Sequence, residues 1–278
     1  LRFTTKKGWQ SEYYQKHKYE IEQTIKYITE NGVTTSKDLE HIPKIRNLFS
    51  WNGTSSRTAM LEYLWDTGKL TVHSRDKNKK FYELTEKMIL HDLLYKDVDE
   101  KEAMTFLLKS NFKYLGIVRK TFLSSGRMGY VKRLGIVELF EKLKEKGEIL
   151  KIEVEGVKTE YFILAEDINS INELKNERRH NRLNILPPLD PLIIDRKIIK
   201  DIFDFTYVWE AYTPANKRKF GYYGMPILYN GEFVGQVELK KDKKKNLTIK
   251  NLESKTNTQN FKDALEVQIS KLEMLIKE

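Results

Sequence analysis

The chain has 278 residues, and its 50 Lys and Arg against 40 Asp and Glu leave it at a formal charge of +10, which suits a polyanionic partner. At 40% hydrophobic and 12% aromatic it can bury a core and is no disordered tail, yet no stretch approaches the ~20 consecutive apolar residues of a membrane span. With no cysteine, disulfides, thiolate metal sites and a Cys nucleophile are excluded, and five scattered His (His17, His41, His73, His91, His180) lack the spacing of a zinc site.

Residues 17–31 place Ile21, Ile25 and Ile28 on one helical face, and Gly32 ends the helix. Thr34-Thr35-Ser36-Lys37-Asp38-Leu39 offers hydroxyl caps for a short second helix. A third, capped by Ser55 or Ser56, runs through Leu61, Leu64 and Trp65 to Gly68. Two β-type runs follow, 69–73 and 80–84, joined by Arg75-Asp76-Lys77-Asn78-Lys79-Lys80. Helix, short helix, helix and a cationic hairpin make a winged helix-turn-helix, in which the third helix usually enters the major groove and the wing lies on phosphates or in the minor groove.

The pattern recurs. A helix over 100–111, a connection at Ser124-Ser125-Gly126-Arg127, and a helix carrying Ile136, Phe140 and Leu143 to Gly147 come first. A hairpin then alternates through Leu150, Ile152 and Val154, turns at Glu155-Gly156, and returns through Val157, Thr159, Tyr161 and Ile163. Residues 172–182 are charged and read as a linker or a solvated helix. Beyond Pro187 aromatics crowd together, and Tyr229-Asn230-Gly231-Glu232 is a strong hairpin signal. Strands over 234–240 and 247–252 flank an exposed Lys240 to Lys245 turn, and a helix over 260–276 closes the chain.

The fold class expected is therefore α+β: tandem winged helix-turn-helix domains, a small antiparallel β-barrel-like module and a C-terminal helix. The expected boundaries are 1–98 and 99–170 for the winged helices, 171–186 for a charged linker, and 187–278 for the β module with its helix.

The cations of the two helix–wing units are the first candidates for phosphate contacts: Arg57, Arg75, Lys77, Lys79 and Lys80, then Arg119, Lys120, Arg127, Lys132 and Arg133. Singly, each also suits a solvated face. Thr213 to Tyr223 mixes cations with rings, so Lys217, Arg218 and Tyr222 could hold phosphates and stack on an opened strand; the same rings also suit a packed barrel. Asp190, Asp195, Asp201 and Asp204 could supply paired carboxylates, but turn caps, and for Asp195 an ion pair with Arg196, explain them more readily. No Walker loop, GxGxxG or nucleophile elbow occurs, which disfavours a nucleotide-driven motor or a dehydrogenase.

Pro187-Pro188-Leu189-Asp190-Pro191-Leu192-Ile193-Ile194-Asp195-Arg196 resembles the signature of the YcaQ/AlkZ-type winged-helix DNA glycosylases. The likeness continues through Phe203-Asp204-Phe205, Trp209-Glu210-Ala211-Tyr212, Pro214-Ala215-Asn216-Lys217-Arg218 and Gly221-Tyr222-Tyr223-Gly224-Met225-Pro226-Ile227-Leu228. It closes at Gly235, with Gln236 where that family commonly has Arg. The resemblance implies tandem winged helices joined to a small β-barrel and hydrolysis of N-glycosidic bonds of alkylated or crosslinked bases, with no metal or organic cofactor. It also implies a catalytic Gln-x-Gln or Gln-x-Asp motif that sets a water against an oxocarbenium-like sugar.

This chain departs from that pattern: it contains neither motif, and Gln236-Val237-Glu238, a Gln-x-Glu, lies in the β module. It opens Leu1-Arg2-Phe3 without an apolar signal segment, so the expectation is a cytoplasmic fragment whose natural start lies upstream. No catalytic residue is assigned. The expected partner is double-stranded DNA, damaged or not, without membrane or small-molecule cofactor. A winged-helix transcription regulator without enzymatic activity, which would prefer one operator, is the alternative reading, and a protein-binding scaffold with little affinity for DNA is a third.

Overall fold

In a computed structural model the chain is described over residues 9–42, 56–123, 135–174 and 182–277. It is a mixed α and β protein with antiparallel sheets, and it divides into two compact units, 1–103 and 104–278.

In the first unit α1 (Trp9–Lys16) leads into α2 (Lys18–Asn31), where Gly32 takes φ +76° and its N–H closes on the Ile28 carbonyl. The short helix expected at 34–39 is replaced by turns over 36–41. Thr34 is held in an extended bridge to Tyr82, with both backbone hydrogen bonds at 2.8 Å. The Asp38 carboxylate accepts from the Thr35 N–H and hydroxyl, each at 2.8 Å. That local capping starts a turn, but Pro43 disfavours helical geometry at Ile42 and leaves no length to propagate it.

After α3 (Ser56–Asp66) come β1 (Leu70–Asp76) and β2 (Lys79–Leu84). These strands run further than the sequence pattern indicates, so only Lys77 and Asn78 form the tip, Lys77 in left-handed geometry at φ +52°. Ile21, Ile28, Met60, Leu61, Leu64, Leu70, Tyr82 and Leu84 share one core. The first unit continues through α4 (Thr85–Met88) and α5 (His91–Leu94).

The second unit repeats the arrangement. From α6 (Glu100–Leu115), longer than expected and followed by Gly116 at φ +73°, the chain passes Val118, which bridges to Phe162. It continues through α7 (Lys120–Leu123), α8 (Ile136–Glu145), β3 (Ile149–Ile152) and β4 (Tyr161–Leu164). In both units a single extended residue after the leading helix pairs with the second hairpin strand. The second hairpin is shorter than its alternation suggests, because residues 153–160 form a loop. Leu108, Phe112, Phe140, Leu143 and Phe162 fill the core.

Beyond α9 (Ile168–Leu174), the expected linker is a strand at its end: Leu183 and Ile185 are buried in β5 (Leu183–Ile185), which pairs with β6 (Met225–Tyr229). Asn230 and Gly231, at φ +51° and +87°, make the tight turn to β7 (Glu232–Lys241), and β8 (Leu247–Ser254) completes the sheet. The order is β5-β6-β7-β8, an open sheet and not a closed barrel. Four strands leave two apolar faces to cover. One packs on α12 (Gln259–Lys277) through Phe261 and Leu265; the other packs on α10 (Pro191–Ile194), α11 (Arg196–Phe203) and the chain that follows, through Ile193, Ile199, Phe205 and Tyr207. The register slips at Val234, which opposes no residue of β6, so Phe233 enters the second core while Val234 and Val237 enter the first.

Candidate nucleic-acid interface

The β1–β2 tip presents Arg75, Lys77 and Lys79 to solvent, with no carboxylate within ion-pair distance among the described residues; Lys79 Nζ lies 4.7 Å from the centre of the Phe81 ring. Its base is fixed by a neighbouring lysine: Lys80 Nζ lies 3.1 Å from Glu62 and 4.3 Å from the centre of the Trp65 ring, both on α3. Lys80 is thus an anchor, and the three cations beyond it remain available to an anion.

Arg57 is placed differently. Its guanidinium donates to the carbonyls of Glu40, at 2.5 Å, and Ile42, at 3.0 and 3.2 Å, closing the 36–42 turns against α3. It stabilises the fold and has little left for a phosphate. Arg119 donates in bidentate fashion to Asp195, at 2.6 and 2.9 Å, and Lys120 pairs with Glu141. Arg127, Lys132 and Arg133 lie outside the described residues.

The four carboxylates around the signature are structural. Asp190 caps α10 by accepting from the Leu192 N–H at 2.9 Å. Asp195, 3% exposed, caps α11 through the Lys197 N–H and pairs with Arg119 instead of Arg196. Arg196 turns back to the Pro188 and Ile193 carbonyls and stacks 4.3 Å over the Tyr207 ring. Asp201 accepts from the Tyr161 hydroxyl at 2.7 Å and from Lys197, and Asp204 pairs with Lys200. Burial together with Asp201 raises the Tyr161 phenol and keeps it a donor. Each of the four is thus engaged by a helix cap, a hydroxyl or a cation.

The segment from Trp209 to Gly224 is a loop organised around one side chain. Glu210 accepts the N–H of Lys219 at 2.8 Å and of Phe220 at 2.7 Å, bonds that hold its carboxyl below the ordinary 4.5, the Lys219 N–H contributing most. Tyr207 donates to the Gly224 carbonyl at 2.9 Å from a buried position that pushes its phenol up to about 12. Across the loop surface Tyr212, Tyr222 and Tyr223 are 88%, 44% and 55% exposed. Arg218 donates to the Thr213 carbonyl at 2.7 Å with its guanidinium 5.3 Å over Tyr222, and Lys217 is exposed beside it. The sequence marks these cations and rings as candidates and names Glu210 only within the family likeness, because its role has no local signature: its partners are nine and ten residues away.

Because the Glu210 carboxyl titrates lower in the folded loop than free, its contribution is complete above 4.5 and is lost as pH falls through the folded value. Hydrogen exchange at the Lys219 and Phe220 amides should show protection at neutral pH that disappears below that range. Glu210→Gln should lose protection already at pH 7. Equal protection in the variant would contradict the assignment.

Among the described residues no group of three or more His, Asp or Glu is disposed to hold a metal, and no helix is long and apolar enough to cross a membrane. A family model described as "DNA glycosylase AlkZ-like" matches residues 4–274. The structure is similar to that of Streptomyces sahachiroi DNA glycosylase AlkZ, with TM-score 0.51 and 16% sequence identity, over 78% of this chain and 55% of that one. At that identity the likeness concerns the fold, and this chain spans little more than half the length of the other.

Proposed function

Since the chain belongs to the AlkZ-like DNA glycosylase family, we propose that it is the duplex-binding part of a repair N-glycosyl hydrolase. The two helix–bridge–helix–hairpin repeats are tandem winged helices, over about the first 98 residues and then 99–170, with α3 and α8 as groove-facing helices. The four-stranded module adds the cation–aromatic loop, suited to a distorted or opened strand. DNA is the partner, cytoplasmic DNA by the sequence expectation, and damaged duplex is preferred.

The observation that carries this is the set of unpaired cations at the β1–β2 tip, on a chain whose family acts on DNA. Neutralising a phosphate releases counterions and contributes about 0.9 to the log–log dependence of affinity on salt. Arg75→Gln/Lys77→Gln/Lys79→Gln should therefore lower that slope by about two to three on a fluorescent duplex. An unchanged slope would count against the wing contact. As no Gln-x-Gln or Gln-x-Asp occurs in these 278 residues, the chain alone should release no base from duplex carrying N7-alkylguanine above spontaneous depurination. Release above that background would show a different catalytic group at work.

A further inference from the structure

Lys240, Lys241, Lys243, Lys244 and Lys245 fall within six residues at the β7–β8 turn, interrupted only by Asp242, and all are exposed. Asp242 is used to build the turn. Its carboxylate accepts the N–H of Lys244 at 2.7 Å, that of Asn246 at 2.9 Å and the Asn246 side-chain amide at 3.0 Å. The turn is also braced by the last residues of α12. Lys245 Nζ donates to the Lys277 carbonyl at 3.0 Å, Lys277 Nζ donates to Asn246 Oδ1 at 3.0 Å, and the Leu247 N–H donates to Glu273 at 2.5 Å. Lys240, Lys241, Lys243 and Lys244 have no carboxylate within ion-pair distance among the described residues.

Four like charges without an ion-pair partner, two at the end of β7 and two in the turn, repel one another in water, and an external anion would relieve that repulsion. Shielding a strand edge is a common use of lysine, but residues 240–246 carry no apolar side chain to protect, and Lys250 on β8, unlike these lysines, is paired with Glu238 at 3.0 Å. We propose that the β7–β8 turn is a second phosphate-binding element, which grips the backbone of duplex DNA without reading its sequence. Lysine ammonium groups suit that task as compact point charges, without the planar fork with which arginine reads guanine.

The position fits. The Asn251 side-chain amide on β8 donates to the Lys219 carbonyl at 3.3 Å and so ties the strand to the cation–aromatic loop. At about 3.3 Å per residue along β8, turn and loop are roughly 15–20 Å apart. One duplex at 3.4 Å per base pair spans that gap in roughly five pairs. An anionic membrane would attract the same charge, but residues 240–246 carry no apolar side chain to enter a bilayer interface.

This inference rests on the DNA-binding reading, and the test separates the two. Duplex affinity of the full chain is measured by anisotropy across a salt series, on intact and N7-alkylated DNA. The comparison is Lys240→Gln/Lys241→Gln/Lys243→Gln/Lys244→Gln against a charge-matched control, Lys18→Gln/Lys26→Gln/Lys262→Gln/Lys271→Gln. The turn variant should lose about two to three units of salt slope and bind at least about tenfold more weakly on both duplexes, with the control within about twofold of the parent. The same four positions changed to Arg should restore the slope. Equal losses in turn variant and control would reduce the effect to net charge and overturn the proposal. So would a turn variant that keeps its duplex slope while losing binding to vesicles containing phosphatidylserine. A parent chain with no salt-dependent duplex binding would instead overturn DNA binding as a whole.

Discussion

Arg119→Ala should lower the stability of the second unit by about 3–5 kcal/mol, the usual result of removing one partner from a buried ion pair. The geometry puts this pair at the strong end. Two parallel hydrogen bonds of 2.6 and 2.9 Å join it, and the Asp195 and Arg119 side chains are only 3% and 20% exposed. The pair raises the guanidinium, chiefly through the hydrogen bond to Asp195. Without Arg119, the Asp195 carboxylate is left with the Lys197 N–H alone, in a site that offers little water.

Asp195→Ala should cost about as much and remove the α11 cap besides. In the double variant no lone charge remains, so its loss should fall short of the sum by about 2 kcal/mol or more. Chemical denaturation of the four species measures this. A single variant within about 1 kcal/mol of the parent would show that the pair contributes no more than a surface contact. Because the pair is shielded from solvent, 0.5 M salt should leave the coupling nearly intact, unlike the i,i+4 pair of Lys18 and Glu22.

This pair also marks where sequence reading stops. Helices α2, α3, α8 and α12 were legible because their apolar residues recur at helical spacing, and the β6–β7 turn because Asn230-Gly231 tolerates two left-handed residues. The bridges at Thr34 and Val118 were not, since one extended residue has no period. β5 was hidden for the same reason, with three residues beside a charged run. Among the cations, Arg57, Arg75 and Arg119 are chemically alike and equally placed near turns. What separates a scaffold arginine from one facing solvent is a partner 76 residues away for Arg119 and a pair of carbonyls 15 and 17 residues back for Arg57. The signature around Asp190 and Asp195 was visible as a motif, but its purpose was not. It orients α10 and α11 beneath the sheet and locks them to the second repeat through Arg119 and Tyr161, and so positions the loop that carries Lys217, Arg218 and Tyr222.

Gly235→Ala should cost more than about 3 kcal/mol or prevent folding altogether, the outcome of forcing a side chain into space held by backbone. Gly235 lies in β7 between two partners, opposite Ile227 on β6 and Ser254 on β8. A Cβ there would overlap the carbonyl oxygen of Glu253, which belongs to the β8 backbone and has no rotamer by which to withdraw. The bulge at Val234 tightens the site further, because the Lys255 N–H closes on the Val234 carbonyl at 2.7 Å.

Gly156→Ala is the informative control. That glycine has φ +74° with nothing within 4 Å of its would-be Cβ, so alanine should cost only the left-handed backbone, about 1–2 kcal/mol. A Gly235 variant no worse than this control would mean that β8 shifts freely. Since β8 carries the lysine turn at one end and touches the cation–aromatic loop at Asn251, a strand that shifts freely could not hold both at a fixed spacing. The severity of Gly235→Ala therefore measures how rigidly the sheet holds the lysine turn and the cation–aromatic loop at a fixed spacing.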